Sequence, residues 1–376
     1  MGKTLTEKLI AAHLVSGSME PGAEVALRID QTLTQDATGT MAYLEFESMG
    51  IDRVKTKRSV AYIDHNTLQS GFENADDHRY IQTVAAKHGI WFSRPGNGIC
   101  HQVHLERFGV PGQTLIGSDS HTRYGALGTM GVGEGGPEIV KQLLRNTYDI
   151  AAPQVVLVWL TGTPPHGVGP HDVAIALCGA VYGNGFAKNK ILEFAGPGVA
   201  HLPMDYRIGI DVMTTETACL SSIWQTDDVT KQYFEQHNRP EAYKELKPAD
   251  VAYYDGCIEL DLSTVECMIA LPMHPSYAYP IRELKANAKE ILQAAQDQAN
   301  KQLGGKVEMD LVGKICEDGR IYVDQGVVAG CSGGTYENIC AVADIIRGKS
   351  CGNGEFKLSV YPDSMPTYLE LVKNGA

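Results

Sequence analysis

Two short apolar runs in the first third of the chain each break off into an acid and an imidazole. Val60-Ala-Tyr-Ile63 runs into Asp64-His65, and Gln113-Thr-Leu-Ile116 runs into Gly117-Ser-Asp-Ser-His121. Apolar runs this short, bounded by turn residues, predict buried strands. Polar groups placed straight after a buried strand sit where open α/β sheets carry their chemistry. A glycine-rich tract from Gly125 to Gly136 follows the second run, and predicts close helix–strand packing with backbone amides facing a cleft. A further imidazole, His101, lies in Gly98-Ile-Cys-His-Gln102, after a turn rich in glycine. Together these residues point to an acid–base site.

The rest of the chain alternates in the same manner. Helices are predicted over 4–14, 77–88, 137–144, 171–181, 213–223, 283–303 and 338–347, and strands over 59–63, 113–116, 154–160, 258–262 and 326–331. The breaker-dense run Gly162-Thr-Pro-Pro-His-Gly-Val-Gly-Pro170 predicts a linker. The expected units are therefore 1–163, 164–285 and 286–376.

Thirty-two Lys and Arg against 45 Asp and Glu leave a net charge of −13, which argues against nucleic acid and anionic membrane as partners. A small anionic substrate remains compatible, because local donors override a global field at short range. No run of apolar residues is long enough to span a bilayer, and the start lacks a secretory h-region, so a cytoplasmic protein is expected. The nine cysteines contain no CxxC and are expected to be reduced thiols.

Several tempting motifs fail. No Gly-x-Ser-x-Gly elbow surrounds Ser120. The run Gly131-Val-Gly-Glu-Gly-Gly136 lacks the spacing of a dinucleotide fingerprint. His101 and His104, three residues apart, form only half of a zinc pattern. Asp64 and His65, as neighbours on a strand, are expected to face opposite sides and find partners elsewhere. Glu216 is either a solvated helix-face residue or a carboxylate that orients an imidazole. Cys331, in Ala329-Gly-Cys-Ser-Gly-Gly334, precedes a helix, whose N-terminus would lower its thiol pKa and make it the reactive or metal-binding cysteine.

Taken together, Gln35-Asp-Ala-Thr-Gly-Thr-Met-Ala42, Asp64-His65, Arg94-Pro-Gly-Asn-Gly-Ile-Cys-His-Gln102, Gly117-Ser-Asp-Ser-His-Thr122, Ile258–Leu271 and Gly330-Cys-Ser resemble the aconitase family of iron–sulfur hydro-lyases. The resemblance implies an α/β fold of three-layer α/β/α domains, two complete here and a third in part, around a [4Fe-4S] cluster covered by a further swivel domain. It implies dehydration of a hydroxy di- or tricarboxylate. Asp64 and His65 would then handle the substrate hydroxyl, His101 with Asp119 and His121 with Glu216 would be carboxylate-supported imidazoles, and Ser120 a hydrogen-bond donor. Cys331 would be the first of three cluster thiolates. The other two belong to a CxxC that this sequence lacks, so the chain is expected to be the front part of a longer enzyme, inactive alone and completed by a missing C-terminal portion or small domain. Thr40 stands where aconitases carry Gln, and Val212 where Asn is common; both are expected beside the substrate or cluster. Arg123 is expected to clamp a substrate carboxylate in a bidentate contact. Two other readings compete: a mononuclear metal hydrolase built on Asp64, His65, His101, His104, Asp119 and His121, and a non-catalytic aconitase-like binding protein.

Overall fold

The computed structural model describes residues 2–352 and 354–376. Two parallel sheets carry the body. The first runs in the order Trp91–Ser93, Arg58–Tyr62, Gln31–Thr34, Thr114–Gly117, Met130–Gly133. The second runs Ser221–Trp224, Ile191–Ala195, Val155–Thr161, Gly256–Asp261. Strands covered on both faces can be apolar throughout, and Leu33, Val60, Leu115, Val156, Val158 and Leu192 are all at most 1% exposed. The strand Val155–Thr161 lies before the expected break at 163, yet it hydrogen-bonds between Ile191–Ala195 and Gly256–Asp261. The second sheet therefore starts about ten residues earlier than the breaker-rich run indicates.

Local signals place most helices well. Thr4 closes a capping box with Glu7, its hydroxyl accepting the Glu7 N–H at 3.0 Å while Glu7 Oε2 accepts the Thr4 N–H at 2.8 Å. The stretch expected as a helix over 213–223 differs. The helix is Met204–Met213, followed by a 3₁₀ turn over Thr214–Thr217 and the strand Ser221–Trp224. Three threonines weaken helix propensity there, and Ile223 and Trp224, at 1% and 0% exposed, are buried in the apolar core. The expected helix 283–303 is interrupted at Asn287, giving Ile281–Ala286 and Ala288–Leu303.

The glycine tract lets backbones touch. A Cβ on Gly133 would stand 2.5 Å from Asp119 O, and one on Gly125 would stand 2.3 Å from Ser222 O in the second sheet. Gly125 thus serves close approach between the two units, and Gly133 close approach within the first.

The C-terminal segment has a two-stranded parallel sheet, Gln325–Val328 with Lys357–Val360, and the helices Tyr336–Ile346 and Met365–Asn374. It is stitched to the turn before His101: Ile99 N–H donates to Asp363 O at 2.7 Å, Met365 N–H to Asn97 O at 3.0 Å, and Ser364 Oγ to Glu106 Oε1 at 2.5 Å. The Asp363 side chain in this seam is 0% exposed, and neither carboxyl oxygen has a hydrogen-bond partner. Burial pushes this carboxyl well above the usual carboxylate range, with the charges of Glu106 and Asp205 adding to the effect. Its folded-state pKa is raised, so folding favours the protonated form. The stability it allows is present below the unfolded value and is lost as pH rises toward the folded one. Asp363→Asn is expected to remove part of the fall in stability on the alkaline side, read as urea midpoints between pH 5 and 9 on the order suggested by this linkage. A variant with the wild-type slope against pH would refute it.

Candidate active site

Adjacent parallel strands deliver their C-terminal ends to one place. Gln31–Thr34 lies between Arg58–Tyr62 and Thr114–Gly117. The residues that follow these strands are Gln35-Asp36, Asp64-His65 and Ser118 through His121. Asp36 ties the ends together. Its side chain, 0% exposed, accepts the backbone N–H groups of Asp64 (3.1 Å), His65 (2.8 Å) and Asn66 (2.9 Å), and meets His78 Nε2 at 2.8 Å. These donors hold its carboxyl below the ordinary range against the opposing effect of burial.

That anchoring bends the chain sharply after Tyr62, and it overturns the expectation that Asp64 and His65 diverge. Asp64 Oδ1 meets His65 Nδ1 at 2.9 Å, and Asp64 Oδ2 accepts the Cys100 N–H at 2.6 Å. The strand has already ended, so the two-residue alternation no longer applies.

Asp119 is the hub. Its Oδ2 meets His65 Nε2 at 3.1 Å, and its Oδ1 meets His101 Nε2 at 3.1 Å and accepts the His121 backbone N–H at 2.8 Å. The His121 ring lies 3.6 Å from the same carboxylate and places Nε2 3.2 Å from Glu216 Oε1. Burial opposes ionisation of Asp119, but hydrogen bonds from His101, His121 and His65 outweigh it and hold the carboxyl far below its ordinary value. The reverse effect appears in the rings. Asp119 first, then Asp64, raises His65 to about 10. Asp119 first, then Glu216, raises His121 to about 9. At neutral pH both rings carry a proton and face a cleft, His65 being 36% and His121 33% exposed. This arrangement can donate a proton to a leaving hydroxyl and attract carboxylates.

Glu216 arrives from the second unit on the 3₁₀ turn Thr214–Thr217, so it is the carboxylate that orients an imidazole and not a helix-face residue. The seam that brings it in includes Thr215 Oγ1 donating to Ser120 O at 2.8 Å and Ser221 Oγ donating to Gly131 O at 2.7 Å. Ser120 itself is exposed, with Oγ 3.5 Å from His121 Nδ1.

Other expected residues lie elsewhere. Arg123 does not reach a substrate carboxylate: it is 5% exposed, and its guanidinium donates to the carbonyls of Thr122, Gly131 and Cys219. The backbone after His121 turns inward, so Arg123 staples the two units together. Thr40 spends its hydroxyl on Asp77 at 2.9 Å. Val212 is 2% exposed, within the buried part of its helix. His104 is 0% exposed between Tyr62 OH (2.9 Å) and Gln31 Oε1 (3.0 Å), which removes it from any metal set. Burial drives its pKa down to about 3. His101 and His104 thus part company although they are three residues apart, one turned to the cleft and one to the core.

Cys331 is half-buried and close enough to Asp119 and Asp64 to feel their charge. Burial pushes its thiol up to about 12, the reverse of the helix-terminus expectation, because its helix spans only Gly330–Gly333. Cys100 also faces these carboxylates, and its thiol is fully buried against Asp64. Donor atoms of Asp64, His65 and Cys100 lie within 4.8 Å of one another. Of the two thiols that face these carboxylates, Cys331 alone is partly exposed, where a [4Fe-4S] cluster takes three thiolates. The residues present do not supply the whole cluster.

Residues with no motif of their own complete the site. Gln35 Nε2 is 3.5 Å from Asp119 Oδ2, Asp36 and His78 brace the Asp64-His65 turn, and His274 approaches Glu216 to 3.9 Å. One signal does point to Gln35 and Asp36: they follow the run Gln31-Thr-Leu-Thr34 just as Asp64 and Asp119 follow theirs.

The chain is similar in sequence to known proteins. A model of the aconitase family (aconitate hydratase) matches residues 7–376. The 3-isopropylmalate dehydratase large subunit of Acetivibrio thermocellus is 28% identical across all of this chain and 82% of its own length. Large subunit 1 of the same enzyme from Thermotoga maritima is 26% identical, also across all of this chain and 82% of its own length. The mitochondrial aconitate hydratase of Schizosaccharomyces pombe is 33% identical over 76% of this chain and 39% of its own length. With the family model covering nearly every residue and the strand-end acids and imidazoles gathered on Asp119, the chain belongs to the aconitase family of hydro-lyases.

Proposed function

We propose that this chain binds a hydroxy di- or tricarboxylate and supplies the acid–base groups for its reversible dehydration. The observation that supports this most is Asp119, one buried carboxylate holding His65, His101 and His121 around a common cleft. Dehydration needs a proton for the departing hydroxyl, a base for the proton leaving carbon, and a neighbouring cationic field for the substrate carboxylates. His65 and His121, both protonated, supply the first and the last, with Asp64 and Glu216 fixing their orientation. Among the described residues no other site gathers three imidazoles on one acid.

The family implies a [4Fe-4S] cluster, which when bound acts as a Lewis acid toward substrate oxygens. Cys331 would be a ligand of it from this chain. The matched relatives named as large subunits favour a small-subunit partner as the cover of the cleft. Among the described residues, no helix is long and apolar enough to cross a membrane.

The test is anaerobic reconstitution with iron and sulfide in the presence of the complementing subunit, followed by assay against a panel of hydroxy di- and tricarboxylates. Turnover that requires iron and collapses in Asp119→Asn is expected. A reconstituted complex inactive on the whole panel, or a colourless iron-free protein with undiminished activity, would sink the reading. The mononuclear alternative has only Asp64, His65 and Cys100 in its favour. Stoichiometric zinc supporting full activity without sulfide would favour it instead.

A further inference from the structure

A hairpin in the second unit brings an imidazole to the far side of Glu216. Its strands, Met268–Ala270 and Ala278–Pro280, pack on the helix Pro170–Val181 so tightly that a Cβ on Gly179 would meet Ala278 Cβ at 2.8 Å. The loop between them carries His274, whose Nε2 stands 3.9 Å from Glu216 Oε2. Oε1 of the same carboxylate is taken by His121 at 3.2 Å.

The His274 ring is held on two sides. Tyr182, just past the end of that helix, stacks on it with centroids 3.9 Å apart and planes inclined by 26°. The Ser276 backbone N–H donates to Nδ1 at 3.1 Å, and Ser276 Oγ lies 3.0 Å from the same atom. A backbone N–H aimed at Nδ1 needs a lone pair there. The neutral ring therefore carries its proton on Nε2, facing the carboxylate.

We propose that His274 is a positioning residue of this site: its Nε2–H, 3.9 Å from the second oxygen of Glu216, acts on that carboxylate through its field and so tunes how tightly it holds the proton shared with His121. The inference rests on reading His121 and Glu216 as an acid–base pair. The groups facing that pair are Asp119, Ser120 and the His101 ring, its centroid 6.3 Å from that of His121, on the His121 side, and Arg123 and His274 on the Glu216 side. The Cys178 thiol donates to Glu216 O, at 3.1 Å, and leaves the carboxylate free. Of the titratable groups among these, His274 is the one held by its own loop and partly open to solvent, with 27% of its side chain exposed.

The sign follows from the geometry. An Nε2–H dipole 3.9 Å from Oε2, beyond hydrogen-bond length, stabilises the carboxylate charge through its field and makes it a weaker partner for His121. Removing the ring leaves Glu216 more basic, and His121 then releases its proton less readily.

The experiment titrates His121 in the full chain labelled at histidine Cε1, without substrate. His274→Leu is expected to raise the His121 midpoint by about half a pH unit, about threefold in proton affinity. Tyr182→Leu, which unpins the ring, should move it the same way by less. His274→Gln, which can return an N–H to Glu216, should bring it back to within about 0.2 unit of wild type. A His121 midpoint unmoved in both His274→Leu and Tyr182→Leu, in protein with a native spectrum, overturns the proposal. If His274→Leu does not fold, Tyr182→Leu decides alone. The titration requires no turnover, so a chain inactive on every hydroxy acid still tests His274. An active enzyme with an unmoved midpoint removes His274 and leaves the acid–base reading intact.

Discussion

Asp119→Asn is expected to lower kcat/KM of the complemented enzyme on the order of 10³-fold and to lower the positive charge on two imidazoles at once. His65 should fall from about 10, and His121 from about 9, toward their ordinary value near 6.5. An amide keeps the shape of the carboxylate but carries no charge, so each ring loses the larger of its two anionic partners and keeps the smaller, Asp64 for His65 and Glu216 for His121. At pH 8 the wild type presents two cations to the cleft and the variant carries less positive charge there.

The same substitution changes stability against pH. A histidine whose folded pKa is raised contributes stability that is complete below its unfolded value and disappears as pH rises through the folded value. In the wild type this contribution fades between the ordinary value near 6.5 and the folded values of about 9 and about 10. Solvent screening at rings about a third exposed reduces its size. Asp119→Asn should flatten that slope, and histidine Cε1 titration with urea midpoints across the window reads both effects. Rings that still titrate near 9 and 10 in the variant would show that Asp119 is not their partner.

Asp36→Ala is the second large effect, and it acts without touching the cleft. Removing that carboxylate strands three backbone N–H groups and the His78 ring in a half-buried turn. An unsatisfied buried donor costs about 1–3 kcal/mol, and partial relaxation brings the sum to about 3–4 kcal/mol. The functional loss should exceed the stability loss in importance. Asp64 and His65 owe their mutual contact to the bend that Asp36 imposes, and a misplacement of about 1 Å costs on the order of 100-fold. Asp36→Asn should fall between, because an amide accepts through one oxygen and turns donors toward donors. Urea midpoints give the first quantity and single-turnover rates the second. A loss below about 0.5 kcal/mol with unchanged His65 titration would refute the bracing role.

Most of the site's raw material was legible because each apolar run ends at a sheet edge and local chemistry announces it. Asp64, His65, Asp119 and His121 follow strands 58–62 and 114–117 and cannot avoid the cleft. Gly98, at a φ of 130°, forces the turn that aims His101, and Gly96, at 89°, shares it. Arg123 was misread for the opposite reason. Its direction depends on carbonyls at Gly131 and Cys219, up to 96 residues away, which no nearby pattern encodes.

The local pattern of apolar runs, glycines and strand-end acids was enough to establish the α/β class and to place four of the acids and imidazoles at one edge of a sheet. Which groups pair was set by distant partners. Asp36 catches a turn about 30 residues on, the second sheet delivers Glu216 on a 3₁₀ turn, and a hairpin far down the chain presents His274. A strand's alternation governs side-chain direction only while the strand lasts. Beyond its last residue, hydrogen bonds made across the fold take over, and those exist only once the chain has closed on itself.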